Sequence, residues 1–332
     1  MINKINDHKA SNQLTIVQKF LFDKLICPVC NSKVSYFKSF VKCNNSTCGK
    51  EFPVINNIPI MINERESIFS IENFGQKYNN KSFKYKNKDS IFKKLILKMT
   101  PSISNNLSSK KNFFLLQKLL LKKEKPAILI IGGATITAGT EVIINPRNIV
   151  IESDVYFGPR TQIIIDSHNI PYENDTFDLI IFQAVLEHVL DPTKCVREAY
   201  RVLKDDGLVF SATPFMQQVH MKQYDFTRFT YLGHRRLFRS FKEIDSGAFA
   251  GTGVALAWSI KYFVRSLSNN KNIRIILEVF VSFFIFWLKY IDLFTINNKG
   301  TYDGASGFYF IGKKSDTILN DQELIKLFKG NI

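Results

Sequence analysis

Short, wholly apolar runs separated by polar or helix-patterned stretches dominate the chain from Pro126 onward. Ala127-Ile-Leu-Ile-Ile131 predicts a buried strand stopped by Gly132-Gly133. Ile149-Val-Ile151 predicts a second strand, Ile163-Ile-Ile165 a third and Phe177-Asp-Leu-Ile-Ile-Phe182 a fourth. Asp191-Pro192 has the form of an N-cap followed by a first-turn proline, and predicts a helix to about Leu203. Asp205-Asp-Gly207 then turns into a fifth strand, Leu208 to Thr213. Apolar runs without polar alternation, joined by crossovers, predict a parallel sheet covered on both faces, the doubly wound α/β class.

Upstream, Leu115, Leu116, Leu119 and Leu120 recur at helical spacing and predict an amphipathic helix between Asn112 and Lys123. Val34 to Val41 reads as a β-rich hairpin, and Glu51 to Ile62 as strand, turn and strand. Residues 63–106 are rich in Asn, Lys and Ser, with scattered aromatics, and are expected to form a mobile connector with some short helix. Ile275 to Phe294 is strongly apolar but carries Glu278, Lys289 and Asp292. It falls short of the roughly 20 apolar residues of a membrane span. A buried helix or helical hairpin is expected there. The alternative is contact with a membrane surface, because Arg265, Lys271 and Arg274 precede the run and Trp287 lies within it.

Composition narrows the picture little further. With 332 residues, 45% of them hydrophobic, the chain can bury a sizeable core and is not expected to be disordered. The formal charge of +16 comes from 45 Lys and Arg against 29 Asp and Glu, but the basic residues are spread along the chain rather than gathered in a stripe. Weak attraction to an anionic membrane ranks ahead of nucleic acid, which is not expected as a partner. The first thirteen residues are polar and charged, without the apolar stretch of a signal peptide, so a cytoplasmic location, with or without membrane association, is expected.

Reduced thiols follow from that location, and four of the five cysteines form two close pairs: Cys27-Pro-Val-Cys30 and Cys43-Asn-Asn-Ser-Thr-Cys48. Zinc takes four such ligands in a tetrahedron, and a closed four-cysteine set is structural rather than catalytic. Cys27, Cys30, Cys43 and Cys48 are therefore the expected zinc ligands. Cys195, on the helix after Asp191, is expected to be ordinary packing. With the following Phe52-Pro-Val-Ile-Asn-Asn-Ile-Pro-Ile-Met61, residues 25–62 resemble the zinc ribbon found as the small activator subunit of RNA and protein methyltransferases.

Residues 126–214 resemble the class I S-adenosylmethionine-dependent methyltransferase domain of the small-molecule type. The resemblance rests on an ordered set: the glycine-rich turn Gly132 to Gly139, Asp154 ending the second strand, Asp166-Ser167-His168 after the third, Gln183-Ala-Val-Leu-Glu-His188 after the fourth, and Arg201 to Gly207 before the fifth. It implies a mostly parallel, seven-stranded sheet whose last strand is formed by Gly304 to Gly312. It also implies a helical insertion at about 248–300. The resulting division is a zinc ribbon over 20–62, the connector over 63–106, the methyltransferase domain over 107–315 and a tail over 316–332.

By resemblance, Gly132, Gly133 and Gly139 let the backbone approach the cofactor. Asp154 holds the ribose hydroxyls, with Glu152 as competitor. Asp166 and Ser167 lie beside the adenine, and Gln183 and Ala184 near the methionine end. One departure stands out: the acid two residues before the first glycine is here Ile130. Pro214 to Thr230 resembles a bacterial branch in which a similar histidine and an Asp-aromatic-x-Arg-Phe-Thr segment shape the substrate side. His220 is the candidate general base, with Asp225 and Arg228 beside it, although an Asp225–Arg228 pair that merely braces a loop is an equal alternative. His188 is the rival histidine and is expected to be structural. The expected activity is methyl transfer to a small-molecule, glycan or lipid-linked acceptor. The alternatives are a catalytically degenerate scaffold and an NAD-dependent oxidoreductase.

Overall fold

The computed structural model describes residues 17–72, 74 and 99–331. Its centre is a sheet ordered β1-β2-β3-β4-β7-β6-β5-β8-β9-β11-β10. The first four strands belong to the cysteine-rich segment: β1 (Val34–Tyr36), β2 (Phe40–Cys43), β3 (Glu51–Ile55) and β4 (Ile58–Met61). The other seven are β5 (Ala127–Ile131), β6 (Ile149–Asp154), β7 (Ile163–Ile165), β8 (Phe177–Gln183), β9 (Leu203–Pro214), β10 (Phe241–Ala250) and β11 (Gly307–Lys314). Strands β7, β6, β5, β8 and β9 run parallel, and β11 inserts antiparallel between β9 and β10. The strand order reverses between β5 and β8, which opens a crevice at their carboxyl ends.

The expectation of seven strands is thus corrected to eleven, for a specific reason. Strand β4 pairs parallel with β7, Ile60 opposite Ile164 and Met61 opposite Ile165, so the cysteine-rich unit continues the main sheet. A second seam lies at its start, where the Ile26 amide donates to the Pro171 carbonyl at 3.0 Å and the Glu173 amide donates to the Lys24 carbonyl at 3.1 Å. Leu25, Cys27, Val41, Cys43 and Phe52 share one hydrophobic cluster with Ile163, Tyr172 and Phe177. Hairpin β3–β4 turns through Asn56 and Asn57, whose φ values of 53° and 63° fit the two-residue turn that Asn tolerates.

From residue 109 onward there are eight α-helices: α1 (Ser109–Leu120), α2 (Pro192–Val202), α3 (Tyr231–Leu237), α4 (Thr252–Ser266), α5 (Lys271–Ile285), α6 (Leu288–Thr295), α7 (Lys299–Gly304) and α8 (Asp321–Ile325). On one face, α1 places Phe113, Leu116 and Leu120 in a cluster with Ile128 and Ile130. Helix α2 starts as its sequence dictates, with the Asp191 side chain accepting from the Lys194 amide and Pro192 in the first turn. Most of the expected connector, residue 73 and residues 75–98, lies outside the described residues. The parts described are anchored: Ser67 bonds Asp166, Ile103 is buried against α4 and α5, and Lys289 donates to the Ser102 carbonyl at 2.7 Å.

Helices α4–α7 form the insertion between β10 and β11. The expectation that 275–294 is buried is corrected. The segment is a helical hairpin partner of α4, but α5 buries only Ser282 and Ile285, and α6 only Leu288 and Asp292. Apolar residues surround α5, and only one narrow stripe meets α4. Phe280 is therefore 62% exposed, Trp287 52% and Phe294 84%. Asp292 is no interruption of the apolar run: it is fully buried and its carboxylate accepts from the amides of Gly251, Gly253 and Val254, at 2.8, 2.7 and 3.2 Å, capping α4. No helix in the described residues is long and apolar enough to cross a membrane.

Candidate active site

At the carboxyl end of β5 the chain enters the left-handed region at Gly132 (φ 76°), where a Cβ would meet Val185 at 2.6 Å. Gly133 lies against Ile130 and Glu152 and donates its amide to the Ser153 carbonyl at 2.8 Å. These two glycines bring the turn onto the end of β6. Gly139 (φ 92°) serves differently: a Cβ there would strike Phe113 and Ser109, so it lets the turn pack against α1.

Asp154 ends β6 and is the acid that reaches this turn. Its carboxylate accepts from the Ala134 amide at 3.1 Å and the Val155 amide at 2.7 Å. Burial pushes its pKa up to about 6, against these bonds, which lower it. Glu152, the competitor, is taken by Arg160, whose Nε and Nη2 each donate at 2.6 Å. Asp166 and Ser167 follow β7. One Asp166 oxygen accepts from the His168 amide at 3.0 Å and faces the His168 Nδ1, while the other accepts from the Ser67 hydroxyl. Burial opposes ionisation of Asp166, but the His168 and Ser67 bonds outweigh it and hold the carboxyl below its usual value. Ser167 Oγ lies 3.2 Å from the buried Cys195 Sγ.

Gln183 ends β8 and accepts from the Thr137 hydroxyl at 2.7 Å, linking the glycine turn to the next strand. Ala184 follows with φ 54°, a conformation a non-glycine residue rarely holds. Ile130 joins the α1-side cluster and also lies against Gly133, so β5 brings no acid to the glycine turn. Thr137 is a polar residue of this crevice that the sequence reading missed.

The chain beyond Ala184 reaches Glu187 and His188, and the stretch after β9 returns His220 to them. The two Nε2 atoms of His188 and His220 are 3.0 Å apart. Glu187 Oε1 is 3.7 Å from His188 Nε2 and 3.8 Å from His220 Nε2. Neither Glu187 oxygen has a hydrogen-bond partner, although the residue is fully buried, and burial pushes its pKa up to about 8. Asp225 sits behind His220. One of its oxygens accepts from the His220 amide at 2.8 Å, and both are gripped by Arg228. Burial opposes ionisation there too, but Arg228 and the His220 amide bring Asp225 down to about 2. Arg228 also donates to the carbonyls of Gln217 and Gln218, at 2.8 and 3.2 Å, so the pair braces the loop as well as backing His220. His188 and His220 both have lowered pKa values, burial being the main cause. A cleft of about 440 Å³ opens on the Asp225–Arg228 side of this loop, lined by Gln217, Gln218, Asp225, Thr227, Arg228 and Tyr262 among others but by neither histidine. His188 is therefore a partner of His220, and Glu187 is a second buried group the sequence reading passed over.

In the cysteine-rich unit, Cys27, Cys30, Cys43 and Cys48 place their sulfurs within 4.8 Å of one another. The pairs Cys27–Cys48 and Cys30–Cys43 are 3.8 and 3.4 Å apart. A tetrahedron with zinc–sulfur bonds of about 2.3 Å has edges of about 3.8 Å, so the four thiols fit zinc and are too far apart for disulfides.

Residues 145–211 match the family model described as a methyltransferase domain. Among solved structures the chain is similar to a phosphoethanolamine N-methyltransferase 2 of Haemonchus contortus, in complex with phosphomonomethylethanolamine and S-adenosylhomocysteine. Identity is 16% over 64% of this chain and 56% of that one, with a TM-score of 0.39. It is also similar to the 1,6-didemethyltoxoflavin-N1-methyltransferase of Burkholderia thailandensis, at 12% identity over 63% and 79% of the two chains, TM-score 0.38. No curated protein sequence matches the chain. The matched span takes in β6, β7, β8, α2 and most of β9, so the acid-ended strands of the crevice lie within the stretch that matches that model.

Proposed function

We propose that this chain is an S-adenosylmethionine-dependent methyltransferase whose N-terminal ribbon is held by a structural zinc ion. The observation that carries the reading is the meeting of the Gly132 turn, Asp154 and the Thr137–Gln183 pair where the strand order reverses between β5 and β8. This donor set fits the cofactor. Asp154 would accept from the ribose hydroxyls, Asp166 and Ser167 would border the adenine, and Gln183, Ala184 and Thr137 would face the methionine end. Bound S-adenosylmethionine supplies a sulfonium, already a good leaving group, so positioning the acceptor contributes most of the rate.

His220 is the residue at which an acceptor hydroxyl would lose its proton, with Asp225 and Arg228 fixing the histidine. The acceptor class we infer is a small molecule, a glycan or a lipid-linked intermediate, approaching past the partly exposed His220. The lipid-linked class gains support from the exposed apolar face of α5 and α6, which we assign to an anionic membrane surface. Calorimetric titration with S-adenosylmethionine should give micromolar binding, and its absence from folded protein would sink the reading. His220→Ala should lower turnover about a hundredfold with cofactor affinity little changed. Co-sedimentation with vesicles containing anionic lipid tests the membrane contact, which Phe280→Ser with Phe284→Ser should abolish.

A second reading, a scaffold that has lost catalysis, is favoured by one observation. Both Asp166 oxygens are already bonded within the protein, one of them to Ser67. Ser67→Ala separates the two: it should improve cofactor binding in an enzyme and change nothing in a scaffold.

A further inference from the structure

We propose that Glu187, His188 and His220 form a second metal site, a two-histidine, one-carboxylate set for a divalent transition metal such as zinc, reached from solvent at the partly exposed His220. Three ligand atoms converge here: Nε2 of each histidine and Oε1 of Glu187, separated by 3.0, 3.7 and 3.8 Å. Ligands about 2.1 Å from one metal ion lie about 3.0–3.4 Å from each other, so the three need close by only a few tenths of an ångström.

The surroundings select the ligating atoms. The His188 Nδ1 faces the Tyr224 carbonyl at 2.8 Å, which can only accept, so that nitrogen carries the proton and Nε2 presents a bare lone pair. The His220 Nδ1 faces the Asp225 carboxylate at 3.4 Å, which selects the same tautomer. Two lone pairs then point at one another across 3.0 Å, beside a carboxylate that is fully buried and has no partner for either oxygen. Without a cation or a proton between them this arrangement is repulsive. A histidine whose far nitrogen donates to a carbonyl or carboxylate is the usual metal-ligand arrangement. The backbone holds the cluster closed, since the Phe226 and Thr227 amides both donate to the Glu187 carbonyl, at 2.8 and 3.2 Å.

Three protein ligands leave coordination positions open. An oxygen ligand entering past the partly exposed His220 would fill one, and the methyl acceptor's hydroxyl has the right chemistry. Bound to a metal there, that hydroxyl would give up its proton more readily, to solvent, and His220, its Nε2 occupied as a ligand, would then hold the metal instead of taking the proton itself. Its oxygen then forms the O–CH3 bond as the S–CH3 bond of the cofactor breaks, sulfur keeping the electron pair. This use of the site rests on the methyltransferase reading, but metal binding does not.

The test is metal content and cobalt spectra of the full chain, stripped with chelator and reloaded with zinc or with cobalt. Two metal equivalents per chain are expected. Glu187→Gln and, separately, the partly exposed His220→Asn should each remove one of them and leave the thiolate–cobalt charge-transfer bands of the ribbon intact. The ligand-field bands of the histidine–carboxylate site should vanish in both variants. A wild-type chain that loads a single, thiolate-bound metal overturns the proposal, as does full loading of both variants. No readout uses S-adenosylmethionine. A chain that binds two metals but no cofactor would refute the proposed function and keep this site. A chain that binds cofactor and one metal would do the reverse.

Discussion

Asp154 gives the sharpest prediction, because burial and function pull it in opposite directions. Its carboxyl is 6% exposed and titrates at about 6 in the folded chain, against 3.8 as its ordinary value. A folded pKa above the unfolded one means that the protonated form is the stabilising one. Its contribution is complete below about pH 3.8 and is lost as the pH rises towards and through about 6. Above that, the ionised carboxylate costs the fold about 3 kcal/mol, the shift of about two units at 1.36 kcal/mol each. Asp154→Asn removes the charge. Its amide hydrogens would meet the Ala134 or Val155 amide, which costs about 1 kcal/mol. The variant should therefore be about 2 kcal/mol more stable than the parent at pH 7.5 in urea unfolding, and should lose that advantage by pH 4. Cofactor binding should move the other way. If the ribose hydroxyls need the ionised acceptor, about nine-tenths of the sites are competent at pH 7 and about one-tenth at pH 5, so affinity should fall about tenfold across that interval. Calorimetry of parent and variant checks both halves. An affinity flat from pH 7 to pH 5 in folded parent, or a variant that binds as tightly as the parent, would refute the assignment of Asp154 to the ribose.

Cys43→Ser should destabilise the whole sheet and not the ribbon alone, by 3 kcal/mol or more, since a structural zinc site contributes about 10 kcal/mol or more to folding. Hydrogen exchange should then rise across Ile163–Ile165 as well as 25–62, and protection lost only from 25–62 would contradict the shared sheet. Asp292→Ala leaves three buried amides of the α4 N-terminus without an acceptor and should cost about 3 kcal/mol, read as a lowered unfolding midpoint with α4 exchanging first. Burial lowers His234 to about 3 against an ordinary 6.5, so the neutral form stabilises the fold and that stability is lost as the pH falls below 6.5. Between pH 7.5 and pH 5 this amounts to about 2 kcal/mol, which His234→Phe should remove from the pH dependence of urea unfolding.

The parallel core was legible because its strands are buried on both faces. Ala127–Ile131 and Ile163–Ile165 have the bounds their apolar runs suggest. Helix α1 begins at Ser109, three residues before the expected Asn112, since its first turn, Ser109 to Lys111, carries no apolar residue. Strand β10 was not read at all: Phe241-Lys-Glu-Ile-Asp-Ser-Gly has the mixed polarity of a sheet edge, and its pairing partner β11 lies some sixty residues on. The eleven-stranded continuity was equally hidden, because Ile58–Met61 reads as the end of a ribbon until Ile164 and Ile165 are placed beside it. At the site, the acid-ended strands announced Asp154 and Asp166. Glu187 did not stand out and His188 was expected to be structural, because an acid and a histidine after a strand look like a solvated turn. Only the return of residues 220–228 buries the one and orients the other.

The pairing of β4 with β7 also bears on solubility. A parallel strand such as Ile163-Ile-Ile165, with every side chain apolar, would present an unpaired row of amides and carbonyls if it ended the sheet. Such an edge templates pairing with other chains. The ribbon closes it, then steps away through β3, β2 and β1, whose partly polar surfaces make a safer boundary. A metal held by the four thiols would therefore guard against aggregation as well as unfolding. A chain begun after residue 62 is expected to self-associate at the Ile163 edge.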